Sequence, residues 1–301
     1  MPTFAQLYDK HFTYYATTVD ASTASTYDKS MRKYVLPRLA DMPIDEILPA
    51  HVLNLHAKIA KVSPFTAHRS IQRINRIFDY AVTITGDLEY NKIARIGRYT
   101  AKPPTHGWRF VDLAHVPKML KDIDKLKGVG DTIMRAFWVV VYTGLRRSEV
   151  VYARKDEFDL SHGLWTIPAS RMKINSNGDH IVPLSEQAIK LIEPLLHANT
   201  HSDYVFVSPH AGTEIISTWS LYQVLVKAGY QHKQTLHGFR KIFSTHAHIS
   251  RLWTIDAIEL TLSHKIGGVR GVYNHANMLD ERRELLQWWA NEVDEWRGVK
   301  R

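Results

Sequence analysis

TIMRAFWVVVYTGLRRSEV, Thr132–Val150, is the stretch on which the fold turns. From Thr132 to Tyr142 it is apolar nearly all round a helical projection, and a helix of that kind lies buried inside a domain. It breaks at Gly144 and at once delivers Arg146 and Arg147. Guanidinium groups are rarely buried without a partner, so an anion is expected at the break. That anion is either something the protein binds or Glu149, three residues on, in a structural ion pair.

Around this helix the chain reads as mainly α with a small antiparallel β-sheet. Val116, Met119, Leu120 and Ile123 outline a helix before it. After it, Glu157–Leu160, Gly163–Pro168 and His180–Leu184 carry the aromatic and β-branched residues of short strands, and Asn177-Gly178 is a hairpin signal. Ser185 is placed to cap a helix whose Ala188, Leu191, Ile192, Leu195 and Leu196 point inward, and from Ser217 onward the pattern is mostly helical.

The first hundred residues read as a helical domain. From Ser22 to Val35, Tyr27, Met31, Tyr34 and Val35 recur at helical spacing with Lys29, Arg32 and Lys33 on the opposite face, and Pro37 and Pro43 are expected to end that element. Leu48, Val52, Leu55 and Ile59 mark a second helix. A third runs from about Pro64 to Val82, with Ile71, Ile74, Phe78, Ala81 and Val82 inward and Arg69, Arg73 and Arg76 on another stripe. One basic stripe is ordinarily a solvated face; two in one small domain suit a phosphate backbone. Periodicity lapses from Gly86 to Gly107, where Lys102-Pro103-Pro104-Thr105 is short, stiff and polar. The expected organisation is a helical domain over 1–100, a linker over 101–110, and a second domain over 111–301 that closes with a tail helix from Met278 to Trp296.

Two further segments carry chemistry-bearing residues. His237-Gly-Phe-Arg240 begins a helix that Thr235 can cap, where the helix dipole, a guanidinium and an imidazole suit a phosphate oxygen, or where they are simply a helix-start His and a surface Arg. In LSHKIGGVRGVYNHA, Leu262–Ala276, His264 and Tyr273 stand on either side of a double glycine. A tyrosine beyond such glycines can be carried to a target; alone, it is an ordinary core or surface residue.

In this order and spacing the segments resemble the signature of the tyrosine recombinase, or phage integrase, family: an Arg in a TGLRxSE box, a His-x-x-Arg, a His, and a Tyr near the C-terminus. The hairpin RMKINSNGDHIVPLS, Arg171–Ser185, is also similar, and its Lys173 matches the family lysine. The likeness covers about residues 108 to 290, and more loosely the N-terminal part, which resembles the family's helical core-binding, SAM-like domain ahead of its α+β catalytic domain. The resemblance implies that Tyr273 attacks the scissile phosphate to give a 3′-phosphotyrosine and a free 5′-hydroxyl. Arg146 and Arg240 would clamp the non-bridging oxygens, Lys173 protonate the leaving oxygen, His237 assist proton transfer at the tyrosine, and His264 hydrogen-bond the phosphate. It implies as partners double-stranded DNA carrying a recombination site, a homo-tetramer on synapsed DNA formed from monomers, and accessory DNA-bending proteins. Lys29, Arg32, Lys33, Arg69, Arg73 and Arg76 would contact DNA; the apolar Leu279, Leu285, Leu286, Trp289 and Val293 of the tail helix suit a helix that covers its own domain, whereas the resemblance implies that the C-terminal segment docks on a neighbouring protomer.

The chemistry fits these residue types. A phenol with pKa ~10 is a poor nucleophile at neutral pH and needs cations and a base nearby. Fixed guanidiniums do the work of a metal, and the covalent phosphodiester conserves the bond energy, so neither metal nor nucleotide is expected; no P-loop pattern occurs. Two positions depart from the family: Gly238 where many members carry Asp, and Ser263 where Gly is usual. The choice of Arg146 over Arg147 rests on the family alignment, which leaves Arg147 as a packing or DNA contact. No separate small arm-binding domain is read ahead of the helical part, which is expected either of a simpler recombinase of Xer-like size or of a chain that begins at an internal boundary.

Composition agrees. The 301 residues hold 39 Lys plus Arg against 30 Asp plus Glu, and the net charge of +9 points to a polyanion, nucleic acid before an acidic membrane. The absence of cysteine excludes disulfides and Cys-ligated zinc, and no stretch reaches the ~18 apolar residues of a membrane span, so a cytoplasmic, nucleoid-associated protein is expected. The rivals are a type IB topoisomerase, a sequence-specific DNA-binding protein without catalysis, and a metal nuclease, for which His246 and His248 lack a third ligand.

Overall fold

The computed structural model describes residues 1–101, 103, 107, 109–172, 178–198, 201–210, 212–264 and 278–299. The chain forms two compact units, Met1–Thr105 and His106–Arg301.

The first unit is helical: α1 (Phe4–Thr18), α2 (Ala21–Ser30), α3 (Leu36–Leu39), α4 (Pro49–Ala60) and α5 (Pro64–Thr83). A reciprocal cap starts α1, where Thr3 Oγ1 accepts from the Gln6 amide and Gln6 Oε1 accepts from the Thr3 amide. Ser63 caps α5, which buries Ile71, Ile74, Ile77 and Phe78 against Phe4, Leu7, Met31 and Val35 of the same core. One expectation is corrected here. Pro37 does not end the helical stretch read from Ser22 to Val35, because residues Met31–Val35 widen into a π turn, the Leu36 amide reaches back to Met31 O, and the proline falls at the start of α3. The wider turn places the residue that lacks an N–H where no helical donor is needed.

The second unit packs α6 (Val116–Asp124), α7 (Asp131–Thr143), α8 (Arg147–Val151), α9 (Glu186–Leu196), α10 (Thr218–Lys227), α11 (Leu236–Ser250), α12 (Ile255–Thr261) and α13 (Leu279–Arg297) around one core. A three-stranded antiparallel sheet, β1 (Phe158–Asp159), β2 (Leu164–Ile167) and β3 (His180–Pro183), lies in the order β1-β2-β3 with Ile167 opposite His180. The centre is α7, buried from Ala136 to Thr143 as its all-round apolar sequence requires.

The tail helix covers its own unit, as one of its two readings has it. Leu285, Leu286, Trp289, Ala290 and Val293 of α13 are all in the core of their own unit. Trp289 Nε1 donates to Val141 O at 2.8 Å, Tyr142 donates to Asp294 at 2.5 Å, and Arg297 makes a two-pronged pair with Asp124 at 2.8 Å while stacking on Trp138. Residues 279–297 therefore pack into the core of their own unit, where they bury apolar surface and two polar pairs. Among the described residues no helix is long and apolar enough to cross a membrane.

Candidate functional site

The site starts where α7 stops. Gly144 takes a left-handed conformation (φ +65°), which favours glycine at this helix end. Two residues later Arg146 is fixed twice by Glu149: its backbone N–H and its Nη1 each donate to the carboxylate at 2.7 Å. Glu149 is only 2% exposed. The structural pair read from the sequence therefore exists, and it aims Arg146 into a cavity instead of cancelling it as a site residue. Glu149→Ala, which leaves the half-buried guanidinium without its counter-ion, is expected to cost about 3 kcal/mol in urea unfolding. A loss below about 1 kcal/mol would show that Arg146 simply swings into water.

Arg240, in the first turn of α11 and 3% exposed, reaches back to the same break. Its Nη1 donates to Gly144 O at 2.5 Å and its Nη2 to Leu262 O at 2.7 Å, and His264 Nε2 lies 3.5 Å from Nη2. Burial, then the nearby Arg146 charge, lower its pKa to about 10, which still leaves it cationic at neutral pH. The other nitrogen of His264 faces Glu259 at 2.7 Å, an arrangement that turns its Nε2 toward Arg240. Ser263, just before it, has φ +53°, the left-handed region that favours glycine, and this is where the family usually carries glycine. Ser263→Gly is expected to raise stability by about 0.5–1 kcal/mol, a gain of a few degrees in Tm; an unchanged melting curve would show no strain at this turn.

His237 is half-buried in the same first turn, which Thr235 caps by accepting from the Gly238 amide at 3.0 Å. It lines two cavities, one of about 360 Å³ with Arg240, Lys241 and His264, and one of about 580 Å³ with Arg146 and Arg147. The structure also accounts for Gly238. A Cβ there would stand 2.6 Å from Arg109 O and 2.9 Å from Gln234 Nε2, because the backbone of Arg109–Val111 is drawn across the helix start by Gln234, whose Oε1 accepts from the Val111 amide. An aspartate would not fit.

His180 on β3 was not singled out by sequence. It is 7% exposed, its Nε2 has no hydrogen-bond partner among the described residues, and its pKa falls to about 3, chiefly through burial and then through the charges of Arg282, Arg240 and Arg146. Arg282 of α13, also buried, donates to Ile181 O at 2.6 Å. A polar residue on the inward face of a short strand, two before buried Val182, was the only sequence signal. The folded pKa lies below the ordinary 6.5, so His180 contributes full stability above pH 6.5 and loses it as pH falls toward 3. The loss is about 1.4 kcal/mol per unit below 6.5, or about 2 kcal/mol at pH 5. His180→Asn should flatten urea stability between pH 7 and 5 by about that amount; parallel profiles would remove His180 as the cause.

Lys173 and Tyr273 lie outside the described residues, as does Asn177 of the expected hairpin. In the first unit, Lys29, Arg32, Lys33, Arg69 and Arg76 are exposed. Arg32 pairs with Asp28, and Arg73 is half-buried over the Tyr27 ring. His246 faces Glu292 at 2.9 Å and His248 faces Ser244 O, and among the described residues no group of three or more metal-ligating side chains occurs.

A helical unit followed by this α+β unit is the fold of the tyrosine recombinases. The integrase of the transposon Tn1549 in complex with circular intermediate DNA superposes with a TM-score of 0.67 at 16% identity, over 94% of this chain and 99% of the other. A lambda integrase tetramer bound to a Holliday junction gives 0.67 at 13%, over 88% and 78%. The chain belongs to the phage integrase family, whose pattern matches residues 109–279, with the phage integrase central domain matching residues 4–98. The integrase of Shigella phage Sf6 is 29% identical over 295 residues, 97% of this chain and 75% of that relative. The protein is accordingly a site-specific DNA recombinase.

Proposed function

We propose that this recombinase cuts and rejoins DNA through a 3′-phosphotyrosine at Tyr273. The phenol oxygen attacks the scissile phosphorus, the bond to the 5′-oxygen breaks, and Lys173 gives that oxygen a proton. The reverse attack by a 5′-hydroxyl restores the phosphodiester and releases the tyrosine, and after strand exchange it yields a Holliday junction. Arg146 and Arg240 bind the non-bridging oxygens and stabilise the charge of the pentacoordinate transition state, His264 adds a hydrogen bond, and His237 moves the tyrosine proton. No metal or nucleotide enters these steps.

The observation that carries this reading is the meeting of Arg146 and Arg240 at one helix break. Glu149 fixes the first and the carbonyls of Gly144 and Leu262 fix the second, with His237 lining the cavities of both and His264 that of Arg240. Rigid cations around an open space suit an anion whose charge grows during reaction. The active assembly in this reading is a homo-tetramer on two synapsed duplexes, supported by the lambda integrase tetramer named above, with accessory DNA-bending proteins shaping the sites. The exposed Lys29, Lys33, Arg69 and Arg76, together with Arg32 and Arg73, contact the phosphate backbone, which orients the protein without reading sequence.

The test uses a nicked duplex carrying the site that the protein itself selects from random DNA. Wild type should accumulate an SDS-resistant adduct, and peptide mass spectrometry should find the nucleotide on Tyr273. Tight binding without an adduct, or attachment to another residue, overturns the reading.

A further inference from the structure

The chemistry above leaves one wall of its own site without a task. The cavity of about 580 Å³ that holds Arg146 and His237 extends to Trp219 and Tyr222 on α10. Ser217 caps that helix, its Oγ accepting from the Ser220 amide at 3.0 Å, and Leu221, Val224 and Leu225 bury the opposite face. Trp219 in the first turn is thereby held outward, 62% exposed, and it is the only tryptophan among the exposed large hydrophobic residues described. Tyr222, one turn on, supports it with ring centroids 5.2 Å apart. A large aromatic ring propped outward at the edge of a cationic cavity is not a core residue and does not serve the phosphate, which needs charge.

We propose that Trp219, backed by Tyr222, is a specificity-determining contact to a base pair beside the scissile phosphate, with the indole packed on the C5 methyl of a thymine in the major groove. The inference rests on the recombinase reading, which places the scissile phosphate at Arg146. Successive phosphates of one strand advance about 3.4 Å along the duplex axis, so a side chain on the same cavity meets a base pair only a step or two away. Of the groups that base edges present in the major groove, the thymine methyl is the apolar one, and it is what an indole face can recognise. Arg147, exposed on the same cavity, fits the adjoining phosphate, a contact that sets register but carries no base information. The basic stripes of the first unit supply affinity in the same sense, so the sequence information near the cut has to come from a group such as Trp219.

Rounds of selection from a 40-base-pair random duplex library, run in parallel with wild type, Trp219→Ala and Trp219→Phe, test this. Wild type should recover a defined motif, and Trp219→Ala the same motif with the preference for thymine lost at one position. Trp219→Phe should keep part of it. Replacing that thymine by deoxyuridine, which removes only the methyl, should weaken wild-type binding about fivefold and leave Trp219→Ala unaffected. Recovery of the complete motif by Trp219→Ala, or indifference of wild type to deoxyuridine, overturns the proposal, and so does failure of wild type to recover any motif. If the thymine effect appears while no covalent adduct forms, the contact stands and the phosphotyrosine reading falls.

Discussion

Arg240→Lys should slow covalent adduct formation by about two to three orders of magnitude in single-turnover assays while DNA affinity changes only a few-fold. Arg240 has two tasks that a lysine cannot share. Its planar fork donates to both Gly144 O and Leu262 O, which ties the end of α7 to the end of α12, and in the proposed reaction its remaining donors meet a phosphate oxygen. A lysine brings a compact ammonium on a flexible stem. It satisfies one carbonyl at most with usable geometry, leaves the other buried acceptor unpaired at about 1–3 kcal/mol, and offers the phosphate no fixed fork. The charge survives, so binding persists; the loss falls on the step in which negative charge grows. Urea unfolding should move by that 1–3 kcal/mol without abolishing the fold. A rate within about fivefold of wild type would take Arg240 out of the transition state and leave it a structural strut.

Tyr273→Phe should remove the adduct altogether, a loss of at least about 10⁴-fold against background. Only the hydroxyl is deleted, so non-covalent binding to the selected site should match wild type. Together with a supercoil-relaxation assay of wild type, the measurement separates three readings. A recombinase loses its adduct with this one atom. A DNA-binding protein without catalysis forms no adduct in either form. A type IB topoisomerase would lose it too, but its wild type would relax supercoils without exchanging partners between duplexes. Adduct persisting in Tyr273→Phe would place the nucleophile on another side chain.

What could be read along the chain was whatever depends on local order. The all-round apolar run from Thr132 to Tyr142 announced a buried helix, the break at Gly144 announced arginines beside it, and Thr235 and Ser185 announced helix starts; each is found in the fold. Periodicity and capping depend on neighbours in sequence, which is why they survive without coordinates. Pro37 escaped because a π turn, which depends on how α2 and α3 pack, relocates it. The tail helix was legible as a helix, but its apolar residues do not say whose core they enter; the contacts of Trp289 and Arg297 with α7 and α6 show that they enter that of their own unit.

For the site, the sequence determined the residue types and their order, and the family resemblance attached roles to them. It offered the Arg146–Glu149 pair as an alternative to a bound anion, and did not show that the pair leaves Arg146 lining a cavity, that Arg240 is held by two carbonyls from distant segments, or that His180 sits uncharged among three arginines. Those facts depend on distances between residues far apart in the chain and on burial, which sets how strongly charges feel one another. The sequence by itself made this a helical, cationic protein with a recombinase signature. The tertiary structure alone decided that Arg146 and Arg240 meet at one helix break, because convergence is a property of packing and no spacing along the chain encodes it.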